Sequence, residues 1–418
     1  MNIVKFKYCD EFHCIGSNCT DHCCKEWKIL LGKREYLDYK KAECSKELKS
    51  VINTAFERVK NHEKKGMVYD EKSNYAQMNF NEKDECPFHG ADGLCMIQKE
   101  LGEKALTITC STFPRLYGLV GGETLIFGCD ITCPHVVELM TDHPEGLEVI
   151  EDEYDGSNEG VNRSLYGIPE GSKKWQGYSQ YWTIKSAQID ILQNRNFTIP
   201  ERLLMLGFFS KKADEYIEAG QVEKVETLYN MMLDYDTCKK IADSLRAPQS
   251  DVSAATKSAN TFLKMYQSVT SSKNKDYITR LFEQTAQSIG VRNELLSDED
   301  KIKTTCNLEK YMNNIIAFRE IEEDKGYVFE NVLVNMIFVT TPDNGLFKSF
   351  FELAIFYNIL KISLPAFLKE NWNDRDLALA ITYSAKMVVN TKMAERISEK
   401  DFVEHGTFDL PHIAFMIS

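Results

Sequence analysis

Eleven of the thirteen cysteines fall between Cys9 and Cys133, and only Cys238 and Cys306 lie beyond. Four sit in one short run, Cys14-Ile-Gly-Ser-Asn-Cys19-Thr-Asp-His-Cys23-Cys24. Cys86-Pro87, Cys95, Cys110 and Cys133-Pro134 follow, while Cys9, Cys44 and Cys129 stand outside these motifs. Thiolate is a strong, soft ligand, taken in sets by iron–sulfur clusters and by tetrahedral zinc. Short spacing lets several thiolates converge from one loop, and the distant cysteines can close the shell and tie separate segments together. Cysteine followed by proline also ends a bacterial ferredoxin motif, which tilts the reading toward iron–sulfur over zinc. Zinc sites often mix in histidine, and His22 and His89 are near enough to be considered, with His13 and His135 adjacent to cysteines. A solvated or hydrogen-bonded side chain is the preferred reading of each histidine. Free cysteine also packs as a small hydrophobe. That suits Cys238 and Cys306 but not eleven cysteines crowded into the front third.

The surrounding sequence limits what such a site can serve. Asp plus Glu exceed Lys plus Arg by 63 to 50, a net charge of −13, so no nucleic-acid partner is expected. An acidic surface weakly favours a basic, lysine-bearing partner. The start, MNIVKFKYCDEF, has no apolar core of a secretory signal. No apolar run is longer than that of Leu353 to Tyr357, so no membrane span is expected. These features point to the cytoplasm, where thiols seldom persist as structural disulfides and a metal site is the better use of them. One chemistry is excluded. The radical reactions of S-adenosylmethionine use a Cys-x3-Cys-x2-Cys loop, and although Cys19 and Cys23 fit its first step, position 26 is Glu.

The elements that must position these residues are mostly α. Residues 1–140 read as a loop-rich cysteine-cluster module with little β. Within it Arg34–Lys65 reads as a charged helix with Val51, Ala55 and Val59 on one face. Residues 141–165 read as an acidic linker: 141–160 hold eight acidic residues and no Lys or Arg. Residues 166–418 read as an all-α domain. Thr198-Ile-Pro-Glu201 has capping-box spacing for a helix that ends near Gly220. A second helix should run through Val222, Val225, Tyr229 and Met232, and residues 246–258 should form a polar loop. Leu308, Tyr311, Met312, Ile315 and Ile316 follow helical spacing, as do Phe329, Val332, Leu333, Met336 and Ile337. Leu346–Leu364, apolar nearly all round, predicts a central helix, and Asp376–Ile397 another. Leu119–Val120 and Thr124–Phe127, around Gly121-Gly122, could make one small hairpin. No glycine-rich stretch follows a strand and opens a helix, so no nucleotide-cofactor fingerprint is legible.

The segment Phe12-His-Cys14-Ile-Gly-Ser-Asn-Cys19-Thr-Asp-His-Cys23-Cys24-Lys-Glu-Trp27 resembles the flagellin lysine-N-methylases. So do Cys86-Pro-Phe-His-Gly-Ala-Asp-Gly-Leu-Cys95 through Gly102, and Thr109-Cys110-Ser-Thr-Phe-Pro-Arg115, with the order of motifs ending at Cys133-Pro134. The strong match covers roughly residues 9–140. The resemblance implies methyl transfer from S-adenosylmethionine to lysine ε-amines of flagellin. It also implies an iron–sulfur cluster, one or two of the 4Fe–4S type, with zinc as the alternative. Its candidate ligands are Cys14, Cys19, Cys23, Cys24, Cys86, Cys95, Cys110 and Cys133. Arg115, set after Phe-Pro, could bind cluster sulfides or a cofactor carboxylate, or could form a structural ion pair. An amine acceptor also needs tyrosine hydroxyls or a carboxylate to orient it. Tyr117, Tyr178, Tyr181 and Tyr311 are candidates without distinction, so the catalytic residues are unknown. The cofactor pocket is expected where module and helical domain meet. The competing class is a non-enzymatic metal-binding or adaptor protein.

Overall fold

The computed structural model describes residues 1–25, 29–59, 74–83, 85–121, 124–154, 175–246, 276–295, 302–340, 345–368, 370–389 and 409–417. They fall into two compact units. One is built from Met1–Phe12, Gly118–Glu153 and the chain from Pro169 onward; the other is chiefly His13–Tyr117. The first unit is mostly helical, and the second is loop-rich with small strands and short helices. Trp27, residues 155–165 of the acidic stretch, residues 247–258 and the end of the helix expected to Ile397 lie outside the described residues.

The first unit opens with strand β1 (Asn2–Phe6), and the chain then enters the second unit. There β2 (Leu30–Leu31) precedes α1 (Lys33–Lys41) and α2 (Lys46–Ala55). Strands β3 (Phe56–Arg58) and β4 (Ala76–Met78) complete a three-stranded sheet in the order β2-β4-β3. The Glu35 carboxylate accepts the Gly32 N–H at 2.9 Å to start α1, and Ser45 Oγ accepts the Leu48 N–H at 3.1 Å to start α2. Helix α2 buries Leu48, Ile52 and Ala55. The single helix expected over Arg34–Lys65 is therefore, in its described part up to Val59, two helices and a strand, with a buried face one register away from Val51. Phe56 explains the break: as the first residue of β3 it enters the core with Leu31, Tyr39, Ala76 and Phe88. Short helices α3 (Met96–Leu101) and α4 (Ile108–Thr112) follow. Glu35 ties α4 to α1, accepting the Ile108 N–H at 2.9 Å.

Strand β5 (Arg115–Val120) leads back to the first unit, where β6 (Thr124–Cys129) and β7 (Val149–Glu153) flank helix α5 (Pro134–Thr141). The sheet order is β5-β6-β1-β7, with β1 parallel to β6 and antiparallel to β7. The hairpin expected at 119–127 is thus half of a four-stranded sheet. The N-terminal strand escaped sequence reading because its partners are far away in sequence. Part of the acidic stretch is also a strand, not a solvated loop. Edge strand β7 is mostly exposed and its Asp152 pairs with Lys5 at 3.1 Å, so acidic residues cost it little. Gly121, at φ +67, makes the turn where Tyr178 Oη leaves no room for a Cβ.

The helices continue as α6 (Tyr181–Gln193), α7 (Ile199–Glu218), α8 (Lys224–Met232), α9 (Tyr235–Leu245), α10 (Asp276–Ser288), α11 (Leu308–Val339), α12 (Leu346–Phe367), α13 (Asp374–Val389) and α14 (Leu410–Ile417). A small pair, β8 (Arg292–Leu295) and β9 (Ile302–Thr305), lies between α10 and α11. The capping box forms as expected, with Glu201 accepting the Thr198 N–H at 2.9 Å. The two periodic segments 308–316 and 329–337 belong to one helix, α11, which bends where Lys325 leaves helical geometry (φ −121, ψ 19). Two of the five residues of the first segment's stripe are buried: Leu308, Met312 and Ile316 are exposed, while Tyr311 and Ile315 face the core, joined there by Phe318. Helix α12 is the expected central helix. It is long and apolar enough to cross a membrane, yet 78% of its apolar window is buried within the protein. The Asp214 carboxylate of α7 caps it, accepting the N–H groups of Leu346 (2.9 Å) and Phe347 (2.8 Å).

Buried polar groups lock this unit. Glu330 of α11 takes both guanidiniums of Arg195 (2.9 Å) and Arg202 (2.6 Å). Asn331 Nδ2 donates to the Met140 (3.1 Å) and His143 (2.9 Å) carbonyls. Asn335 Nδ2 donates to the Cys129 carbonyl at 2.8 Å, and its Oδ1 accepts the Tyr8 hydroxyl at 2.7 Å. Lys185 donates to the Ile337 (2.5 Å) and Thr340 (2.7 Å) carbonyls, and burial pushes its ammonium down to about 7. A neutral amine has two N–H groups, which these two carbonyls match.

Glu330→Ala strands the buried Arg202 charge, and urea unfolding of the full chain should show a loss of about 3–5 kcal/mol. Equal stability would show that the pair contributes nothing. Lys185 predicts a pH signature. Between pH 7 and 10.5 the unfolded chain keeps the Lys185 proton that the folded chain has lost, so stability rises with pH. Relative to Lys185→Met, the wild type should gain at most about 1.4 kcal/mol per pH unit across that window and nothing below it. A difference that is flat across the window would contradict the neutral buried amine.

Candidate metal centre

Backbone hydrogen bonds in the second unit bring its cysteine loops together before any side chain takes part. The Cys86 N–H donates to the Cys24 carbonyl at 2.8 Å, and Lys25 and Glu85 form a bridge beside it. Residues 86–95 fold back on themselves. Gly90 N–H meets the Leu94 carbonyl and Met96 N–H the Phe88 carbonyl, both at 2.8 Å. Gly93 sits at φ +76, a left-handed conformation open to glycine at little cost. Below these loops Cys86 and Cys95 pack against the core that holds Phe88 and Ile97.

The thiols of Cys23, Cys24, Cys86, Cys95 and Cys110 lie within electrostatic range of one another, and Cys19 senses Cys23 and Cys14. A hydrogen bond with Cys23, then burial and the nearby thiols, push the Cys24 thiol far up. Burial, then Cys95 and Cys23, push Cys86 up to about 11. Cys110 keeps exposed surface, but local desolvation followed by Cys23, Cys86 and Cys95 pushes it up to about 12. Working the other way, backbone N–H groups donate to sulfur: Asp21 to Cys19, Phe88 and His89 to Cys86, Ile97 and Gln98 to Cys95. Such donors favour thiolate and tune the sulfurs of iron–sulfur clusters. A cation would relieve the mutual repulsion that keeps these thiols protonated. The donor set therefore fits a thiolate-bound metal or cluster. Among the described residues, no three His, Cys, Asp or Glu side chains are already spaced to hold a single ion.

His22 and His89 stack at 4.0 Å between ring centroids, and burial pushes His22 down to about 4. Nδ1 of His22 and Nε2 of His89 are buried without a hydrogen-bond partner among the described residues, which differs from the solvated or hydrogen-bonded state expected. His135 holds Glu138 through Nδ1 at 3.0 Å in the first unit.

Seven of the eight cysteines carried by the resemblance share the second unit; Cys133 is in the first, where it caps α5 and Pro134 takes the first helical position. That helix start accounts for the proline, while the Cys133 side chain makes no capping hydrogen bond. Cys44 packs against the second unit's core. Cys9 and Cys129 are buried beside Tyr8, and Cys238 donates to the Met232 carbonyl at 3.1 Å. Arg115 opens β5, directly after the Phe113–Pro114 peptide, and is half-buried. Tyr181 and Tyr311 are buried, Tyr178 abuts Gly121, and Tyr117 lies in β5. None of the four lines a cavity of the first unit, about 650 Å³ in volume, whose tyrosines are Tyr327 and Tyr357. Apart from Thr198 and Glu201 of the capping box, its polar residues had no sequence signal beyond helical spacing. All of its lining belongs to the first unit.

A family model for the FliB lysine N-methylase C-terminal domain matches residues 186–416. The flagellar biosynthetic protein FliU of Salmonella muenchen is 32% identical over 155 residues, 36% of this chain and 83% of that protein. The lysine-N-methylases of Salmonella typhimurium and Salmonella choleraesuis are each 32% identical over 152 residues, again 36% of this chain. The match spans only 35% of the length of either lysine-N-methylase. No solved structure matches the chain. The helical unit, from α6 to α14, thus coincides with the matched domain, and the chain belongs to the FliB lysine N-methylase family.

Proposed function

We propose that this protein is a cytoplasmic S-adenosylmethionine-dependent methyltransferase that modifies lysine ε-amines of flagellin. The observation that carries this reading is the family match over residues 186–416. The relative named as a flagellar biosynthetic protein supports flagellin as the substrate.

The reaction needs a neutral lysine amine, although free lysine titrates near 10.4. Desolvation supplies the required shift, and the interior of the helical unit is apolar enough to do so. Lys185 and Lys361 are both pushed down to about 7 by burial. The donor supplies a methyl group bonded to a cationic sulfur. The amine lone pair forms the N–C bond as the C–S bond breaks, the electron pair returns to sulfur, and the ammonium loses one proton. Side chains of the helical unit align the amine and exclude water during this displacement.

In the second unit, thiolates from Cys14, Cys19, Cys23, Cys24, Cys86, Cys95 and Cys110 would hold an iron–sulfur cluster, with zinc as the alternative, and Cys133 is a further candidate in the first unit. The group would tie the loops at 14–24, 86–95 and 110 to one another. Methyl transfer to an amine moves no net electrons, so this role is structural. Arg115, at the head of β5 and five residues beyond Cys110, is proposed as a partner of the cluster or of a cofactor carboxylate.

Incubation of the purified chain with S-adenosylmethionine and flagellin should add methylene-mass increments to flagellin, read by intact mass. Repeated absence of increments from metal-loaded protein would favour the binding or adaptor class instead. Cys23→Ser and Cys86→Ser should each reduce bound metal and solubility together, since metal-binding free energy is also folding free energy. Cys238→Ser should leave metal content unchanged. Soluble, fully loaded protein at both of the first two positions would reject the ligand assignment.

A further inference from the structure

Among the described residues, a cavity of the first unit is lined by one cation and three carboxylates without a salt-bridge partner, Arg319 with Glu322, Glu323 and Asp324, and Arg319 and Glu322 lie one helical turn apart. Arg319 and Glu322 both line it from α11. At i, i+3 they are neighbours on the helix surface. Among the described residues Arg319 has no hydrogen-bond or ion-pair partner, and the Glu322 carboxylate is held only by the Tyr357 hydroxyl, at 2.7 Å. The other basic groups nearby are engaged. Arg202 is bound by Glu330, and Lys361 donates to the carbonyls of Met416 (2.8 Å) and Ile417 (3.3 Å). Phe318, buried and edge-on to Tyr357 at 5.8 Å, supplies an apolar wall. The bend at Lys325 comes just after these residues and keeps Gly326 and Tyr327 in the same lining.

A cation and a carboxylate left side by side in one pocket complement a ligand carrying the same two charges close together. We propose that this cavity binds the zwitterionic head of an α-amino acid, its carboxylate on Arg319 and its ammonium on Glu322. Tyr357 fixes the Glu322 carboxylate by holding one of its oxygens. The volume, about 650 Å³, lies within the roughly 300–1,000 Å³ range of small-molecule sites and exceeds the needs of an amino-acid head alone. Two sources share this chemistry: a free amino acid, and the methionyl end of S-adenosylmethionine. Assignment of the second source rests on the methyltransferase reading.

Calorimetric titration of the full, metal-loaded chain with S-adenosylhomocysteine and with L-methionine tests the site. Arg319→Gln and Glu322→Gln should each weaken the bound ligand by about tenfold or more, as expected for loss of a hydrogen bond to a charged group. Lys212→Gln, on the exposed surface of α7, should not. Arg319 is exposed, so its variant should fold even if the Glu322 variant does not. Variant-sensitive binding of S-adenosylhomocysteine supports the site with the methyl donor as occupant. Variant-sensitive binding of methionine alone supports it with a free amino acid. Tight binding of S-adenosylhomocysteine that neither variant disturbs overturns the inference while leaving the methyltransferase reading intact. Absence of flagellin methylation together with variant-sensitive binding has the opposite meaning.

Discussion

The helical unit depends on one constraint: every polar side chain that α11 buries must find a partner. Glu330, Asn331 and Asn335 cover little more than one turn, and each reaches a different part of the fold. Glu330 gathers the arginines at the end of α6 and the start of α7, Asn331 holds the end of α5, and Asn335 joins Cys129 of β6 to Tyr8. Losing the partner of Glu330, of Asn335 or of Asn331 Nδ2 would cost more than the hydrogen bond itself returns, while Asn331 Oδ1 is buried without a partner among the described residues. The sheet, α5 and the first helices of the C-terminal region are therefore set in register by one face of one helix. The same helix then bends and carries its charged residues to the cavity.

The second unit solves a different problem with few core residues. Its strands are two or three residues long and its last helices five or six, too short to stand without neighbours. Backbone N–H groups aimed at cysteine sulfur and the stitched turn between Cys86 and Cys95 give its loops a defined path. Thiols crowded this closely repel as they ionise, and that makes the unit receptive to positive charge.

How much was legible in the sequence followed the range of the physics. Local signals read correctly: the Thr198–Glu201 cap, the stop at Gly220 and the all-apolar α12 each depend on neighbours within a few turns. Long-range signals did not. Nothing in Asn-Ile-Val-Lys-Phe says that its partners are residues 124–127 and 149–153, and the acidic run concealed β7 because an edge strand tolerates charge. The helix expected at 34–65 failed at Phe56, whose place in the core outweighed helical spacing. The crowding of thiols was visible as density and order, whereas the assignment of Cys133 to a different unit from the other seven needed the fold. Arg319, Glu322 and Tyr357 carry no motif at all, since their juxtaposition arises from two helices that cross.

The cysteine-bearing unit is inserted between the first and second strands, in chain order, of a sheet that belongs to the helical unit. During synthesis β1 is made well before its parallel partner, which follows only after residues 13–117 have left the ribosome, so closing that loop is a late, entropically costly event. The two halves are consequently not separable by a single cut. A fragment ending near residue 140 would expose a raw edge on β1, and one starting there would lack the middle of its own sheet. Evolution could exchange the insert as a cassette through Phe12 and Gly118, but could not shed it from the front.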